Sequence, residues 1–161
     1  MTFLALDPAS AKTGWCLATV DGNEFKYIRS GVVTARGNRH DKLTQMQVNA
    51  NNLWELYTPD ALAYEEPFIG RRNPAGVVTQ LLVVGTILAS FTHMPLFAYS
   101  NATVKKSIGG HGHARKNWLA LILRDAYGIP TDGMTNDETD AIAVAVCHYK
   151  HEWAPNQLEL L

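Results

Sequence analysis

Residues 2–34 read TFLALDPASAKTGWCLATVDGNEFKYIRSGVVT, and this stretch decides the class of fold. Three apolar runs, near 2–7, 14–20 and 26–34, are separated by Pro8-Ala9-Ser10 and by Asp21-Gly22-Asn23. The second separator is a hairpin signal, since Gly and Asn accept the backbone that a tight reversal needs. A meander of three strands is therefore predicted. Asp7 stands out in it, because it closes the apolar run Phe3–Leu6 where a buried strand would be expected to continue. A carboxylate at that place is expensive to bury unpaired, so it needs a partner or a task.

Beyond the meander the pattern alternates. Residues 41–57 carry Leu43, Met46, Val48, Leu53, Trp54 and Tyr57, a mainly helical spacing. Pro59 introduces a strand, ALAYEE, and a turn follows at Gly70 to Pro74. Residues 75–92 read as an apolar helix and 95–99, PLFAY, as a short buried strand. Helical segments are expected at 101–107, opened by Asn101 as its cap, at 115–127 and at 136–151. Strands first in a meander and then alternating with helices predict an α/β layer structure on a mixed sheet. No repeat, low-complexity tract or linker divides the chain, so residues 1–161 are expected to form one domain.

With 47% hydrophobic and 18% charged residues the composition is that of a folded globular chain, which excludes intrinsic disorder. No run of 18 apolar residues is present, so no membrane partner is expected. The first strand follows Met1 directly, without a basic leader, and Cys16 and Cys147 form no C-x-x-C. A reducing cytoplasm is the expected compartment. The net charge of -1 hides an asymmetry: Asn101 to Arg124 carries five bases and no acid. From Asp132 to the end, six acids face one base, Lys150. Solvated faces account for such blocks; so does a metal-using enzyme acting on a polyanion.

The acids fall at element ends. Asp7 ends the first strand, Glu65 and Glu66 end ALAYEE, and Asp137 and Asp140 open the last helix in TNDETDAIAVAV. Thr135 and Glu138 make a T-x-x-E capping box, which explains Glu138 as a structural acid. Asp137 and Asp140 then lie three residues apart on one helical face, where the macrodipole favours their ionised form. Strand alternation lets only one of Glu65 and Glu66 face the same way as the others. Four gathered carboxylates repel one another unless some are protonated or a cation neutralises them. An oxygen-only ligand set suits Mg²⁺ or Mn²⁺ rather than zinc. Two-metal hydrolysis of a phosphodiester is the chemistry that uses such a set. No Ser, Cys or Tyr beside an evident base points to a covalent nucleophile.

LALDPASAKTGWCLA, LAYEEPF and NDETDAIAVAV resemble, in order and spacing, the three acidic motifs of the RuvC-type Holliday junction resolvases, members of the RNase H-like superfamily. YSNATVKKSIGGHGHARKNWL resembles the family's basic segment, and the likeness spans about residues 3 to 150. The resemblance implies an RNase H-like fold with a five-stranded mixed sheet flanked by helices. It assigns metal ligation and catalysis to Asp7, Glu65, Asp137 and Asp140, choosing Glu65 over Glu66 by its distance from Phe68. It implies two Mg²⁺ ions per site, with Mn²⁺ substituting. Lys105 and Lys116 match lysines that contact the scissile strand, Lys116 close to the chemistry, and Phe68 matches an aromatic that stacks on bases at the opened junction. Without the resemblance Phe68 reads as core. The implied protein is a homodimer that cuts two strands of a four-way DNA junction symmetrically, leaving 5′-phosphates and 3′-hydroxyls.

Other groups are placed by sequence position. Arg71 and Arg72, in the loop after Glu65, suit phosphate contacts or a solvated turn. Lys106 and Arg115 supply supporting positive charge. His111 and His113 lie in GGHGHARK without a third ligand nearby, which favours a DNA-contacting loop over a metal site. The chain departs from the family at Ala9, where a glycine is usual, and in its acidic tail. The acidic tail and the net charge of -1 leave a branch-migration motor unassigned as a partner, and fit cutting of forks as well as junctions. Rival readings are a non-catalytic module for branched DNA and an RNase H-like nuclease acting on RNA. An ATPase of the actin type would need phosphate loops and a second large domain, for which 161 residues leave no room.

Overall fold

A computed structural model describes residues 1–67, 74–109 and 118–154, with the main chain alone at 74 and 75. The predicted meander is β1 (Thr2–Pro8), β2 (Lys12–Asp21) and β3 (Glu24–Thr34). Its second reversal turns at Gly22, whose φ of +61° is the left-handed backbone that the separator signalled. Helix α1 (Arg39–Tyr57) starts two residues before the predicted 41. The reason is local: Asn38 accepts from the Asp41 N–H, and the Asp41 side chain accepts in return from the Asn38 N–H. Then come β4 (Ala61–Glu65), α2 (Pro74–Ala89), β5 (Leu96–Tyr99), α3 (Asn101–Ser107), α4 (Trp118–Tyr127) and α5 (Asn136–Glu152).

The five strands form one sheet in the order β3-β2-β1-β4-β5. β1 pairs antiparallel with β2 and parallel with β4, and β5 is parallel to β4. Parallel neighbours cannot be joined by a hairpin, so α1 and α2 serve as crossovers. β1 is thus the central strand, where the sheet changes from antiparallel to parallel.

Strand alternation divides the core into two layers. Phe3, Ala5, Cys16, Ala18, Ala61 and Ala63 face α5, and Leu4, Leu6, Trp15, Leu17 and Leu62 pack with Met46 and Leu53 of α1 and Val83 and Ile87 of α2. The α5 side is built from small side chains, matched on the helix by Ala141, Ala143 and Ala145. The same alternation continues past the core. Residue 7 follows 3 and 5, and residue 65 follows 61 and 63, so Asp7 and Glu65 emerge on the face that carries α5. Glu66 falls out of that series, which gives the choice between the two glutamates a physical reason.

One polar group sits inside the aromatic end of this layer. His148 is 0% exposed, and its ring lies 4.8 Å from Phe3, 4.5 Å from Phe97 and 5.2 Å from Trp153. Its Nδ1 shares a 2.8 Å hydrogen bond with the Tyr99 hydroxyl, and its Nε2 has no partner among the described residues. Burial, reinforced by nearby His151, pushes its pKa down to about 4. The unfolded imidazole titrates near 6.5, so below that pH the unfolded chain takes up a proton that the folded chain refuses. The stability this group contributes is therefore full above 6.5 and is lost as the pH falls towards 4, by roughly 3 kcal/mol at most. The contribution is read as a difference: in urea unfolding between pH 7 and 4.5 the native chain is expected to lose stability relative to His148→Phe as the pH falls, and a difference that does not change with pH would assign no such contribution to His148.

Candidate active site

Asp7 is held by the register of the meander, paired across β1 and β2 with Gly14. The turn between them closes through the Ala9 N–H, which donates to the Lys12 carbonyl at 3.0 Å. Among the described residues Thr58 is the one non-glycine with positive φ, so Ala9 needs no glycine-like backbone. The departure from the family pattern at this turn is thereby accommodated.

Asp137 and Asp140 arrive on α5, and the predicted capping box sets its start. Thr135 accepts from the Glu138 N–H at 3.3 Å, and the Glu138 side chain accepts from the Thr135 N–H at 3.1 Å. Glu138 also accepts from the Ser30 hydroxyl at 3.4 Å, tying the first turn of α5 to β3. The decisive contact is with β2. A methyl group on Gly14 would lie 1.8 Å from the Asp137 carbonyl oxygen and 2.5 Å from its carbon. The backbone of α5 therefore rests directly on the backbone of β2, one strand away from Asp7.

The four acids feel one another. Burial, and then the charges of Glu65, Asp140 and Asp137, push the Asp7 carboxyl up to about 7. Burial, Glu65 and Asp137 push Asp140 up to about 6, against the opposing pull of Lys105. Lys12 lies 3.9 Å from Asp137, an exposed ion pair of small energetic weight. Glu65 accepts a hydrogen bond from the Asn101 side-chain amide at 2.8 Å. Asn101 is not the cap expected from sequence: Ser100 caps α3, accepting from the Thr103 N–H at 3.1 Å. A groove of about 510 Å³, lined by Leu119, Arg124, Thr131, Asp132 and Asn136, opens beside Asp140.

These donors suit a hard divalent cation, because they are all carboxylate oxygens and their repulsion is relieved by positive charge. Among the described residues no three His, Cys, Asp or Glu side chains stand close enough to enclose one ion. The carboxylates share one corner but are spread within it, as like charges are. Lys105 and Lys106 are exposed on α3. Lys106 lines a second cavity, of about 350 Å³, with Ala102, Thr103, Ser107 and His151. Phe68, Arg71, Arg72, His111, His113, Arg115 and Lys116 lie outside the described residues. Sequence reading missed Gly14, Lys12 and Asn101. An isolated glycine inside a strand pattern is a signal of close backbone approach, so Gly14 could have been found.

A family model described as crossover junction endodeoxyribonuclease RuvC matches residues 3–148. The RuvC of Ehrlichia ruminantium is 32% identical over 155 residues, covering 92% of this chain and 96% of its own length. That of Chloroflexus aggregans is 29% identical over 151 residues, with 92% of each chain covered. Thermus thermophilus RuvC, in complex with a Holliday junction substrate, superposes with a TM-score of 0.82 at 24% identity, over 96% of each chain. The fold is thus RNase H-like.

The contact at Gly14 makes a direct prediction. Gly14→Ala forces the first turn of α5 away from β2 and should cost about 2–3 kcal/mol in urea unfolding. Cleavage activity should fall further than stability does, because the displaced turn carries Asp137. A variant with an unchanged unfolding midpoint would show that α5 tolerates lifting from the strand.

Proposed function

The chain belongs to the RuvC family of crossover junction endodeoxyribonucleases, and on that premise we propose that it resolves four-way DNA junctions by metal-dependent hydrolysis, with forks and other branched DNA as further substrates. The observation that supports this most is the convergence of Asp7, Glu65, Asp137 and Asp140 on one face at one end of the sheet. Residues 1–161 act in this reading as one nuclease unit.

Asp7, on the central strand between Glu65 and the α5 acids, would hold divalent cations, two Mg²⁺ per site with Mn²⁺ as a substitute. Glu65, Asp137 and Asp140 complete the set. When bound, divalent cations supply Lewis acidity, acidifying the attacking water and neutralising charge on the leaving 3′ oxygen. The bond broken is that between phosphorus and the 3′ oxygen, so the products carry 5′-phosphate and 3′-hydroxyl ends. Lys105, on the helix that borders Asp140, offsets the approach of the phosphodiester to four acids. Lys106, Arg71, Arg72, His111, His113 and Arg115 contribute further phosphate contacts, Lys116 stands by the scissile group, and Phe68 stacks on an opened base.

Symmetric cutting needs two such sites. The outer face of α2 offers the means to pair them: Val78, Leu81 and Leu82 stand at helical spacing and are 46%, 41% and 43% exposed. An apolar row of that kind suits burial against its copy in a homodimer. Leu82→Asp is expected to yield a monomer in light scattering that no longer cuts both strands of one junction; a dimer of unchanged size would remove α2 from the interface.

The central experiment offers a labelled four-way junction, a fork, linear duplex and an RNA–DNA hybrid to the protein, with and without Mg²⁺. Cutting of the branched DNAs only when Mg²⁺ is present is expected. Asp7→Asn should lower the cutting rate by at least about 10²-fold while junction binding persists. A variant that cuts like the native chain would refute the assignment. Junction binding with no cutting by the native chain would favour a non-catalytic module, and preference for the hybrid an RNA nuclease.

A further inference from the structure

We propose that Asn101 is a positioning residue for Glu65, and that through it α3 couples the DNA-facing side of the site to the metal-holding side. The inference rests on the reading of Glu65 as a metal ligand. Its basis is the 2.8 Å hydrogen bond from the Asn101 amide to Glu65 Oε1. A carboxylate can only accept, so the amide group that meets it is the NH₂.

The surrounding structure frees Asn101 for this task. The first residue of a helix ordinarily competes for capping, yet Ser100 meets that need, bonding both the Thr103 N–H at 3.1 Å and the Thr103 hydroxyl at 2.8 Å. Glu65 is the last residue of β4 and pairs in register with Tyr99 of β5. The Glu66 N–H donates to the Tyr99 carbonyl at 2.9 Å, so the backbones on either side are locked together. Asn101 lies two residues beyond Tyr99, close enough for its side chain to reach back. Among the described residues this is the one hydrogen bond to the Glu65 carboxylate. It leaves the other oxygen available for a cation while restricting the rotation of a long side chain.

The bond is exposed, so its contribution to folding is small. Its effect should appear in the orientation of Glu65 instead. Partners of metal ligands typically change metal affinity by about 10- to 100-fold when removed. The same short helix carries Lys105, whose positive charge is felt at Asp140. A phosphate drawn to Lys105 would thus seat the helix that orients Glu65, so that substrate contact and ligand geometry are set by one element.

The test uses the full chain and four proteins: native, Asn101→Leu, Asn101→Gln and Glu65→Gln. Mn²⁺ binding is measured by calorimetry without DNA, junction affinity without divalent cations, and cutting across a Mn²⁺ titration. Asn101→Leu, similar in volume but without a donor, should weaken Mn²⁺ binding about tenfold and raise the Mn²⁺ needed for half-maximal cutting to match. Its junction affinity should stay within about twofold and its unfolding midpoint should not move. Asn101→Gln, which keeps the amide, should recover part of the loss. Native Mn²⁺ binding in Asn101→Leu overturns the proposal. So does a loss of junction affinity as large as the loss of cutting, which would make Asn101 a DNA contact. Glu65→Gln separates the two levels: if it binds Mn²⁺ and cuts normally, the metal-ligand reading fails. If it is inactive while Asn101→Leu binds Mn²⁺ normally, only the positioning role fails.

Discussion

The contact between the backbones of β2 and α5 governs this molecule. At Gly14 no side chain separates strand from helix, and the Asp137 carbonyl occupies the space a methyl group would need. Around that point the sheet presents Ala5, Cys16, Ala18, Ala61 and Ala63, and the helix answers with alanines. Small residues on both sides bring α5 close enough for its first turns to stand over the end of β1. The core and the candidate site are thus consequences of one close approach. If the helix stood farther off, Asp137 and Asp140 would belong to a different surface from Asp7.

That approach also creates an electrostatic problem. Asp7 and Asp140 are partly withdrawn from water and surrounded by other carboxylates, so both hold their protons more tightly than a free carboxyl does. Lys12 and Lys105 give only partial relief, since one is an exposed pair and the other acts from α3. Around the acids the fold supplies order rather than neutrality. Glu138 is committed to the cap, Gly14 fixes the height of the helix, and Asn101 engages Glu65. A corner whose side chains are placed so carefully but left in excess negative charge is suited to receiving positive charge from outside.

Much of this was legible in the sequence. The hairpin at Gly22, the crossover helices and the Thr135–Glu138 box are local features, each written in adjacent residues, and the structure has them within a few positions. The four acids were legible as ends of elements, and alternation along 3-5-7 and 61-63-65 carried the further information that Asp7 and Glu65 share the α5 face. What escaped was relational. Asn101 looked like a cap, because nothing in a linear string shows that Ser100 does that work or that residue 65 lies within reach. Lys12 was missed, since its distance to Asp137 depends on the docking of an element 125 residues later. His148 drew no notice in the sequence, and α5, enclosed by the sheet, α3 and α4, buries it completely.

The position of α5 as the last element among the described residues has a consequence during biosynthesis. The sheet strands and their crossovers leave the ribosome before the helix that covers one side of them exists. Until residues 136–152 emerge, the alanine-lined face of the sheet is bare, and two of the four acids are missing from its end. The nascent chain therefore carries an exposed apolar layer that favours chaperone contact. It also lacks half of its candidate catalytic carboxylates. An incomplete chain cannot gather the four acids, because the same late docking step that closes the core brings Asp137 and Asp140 to the end of β1.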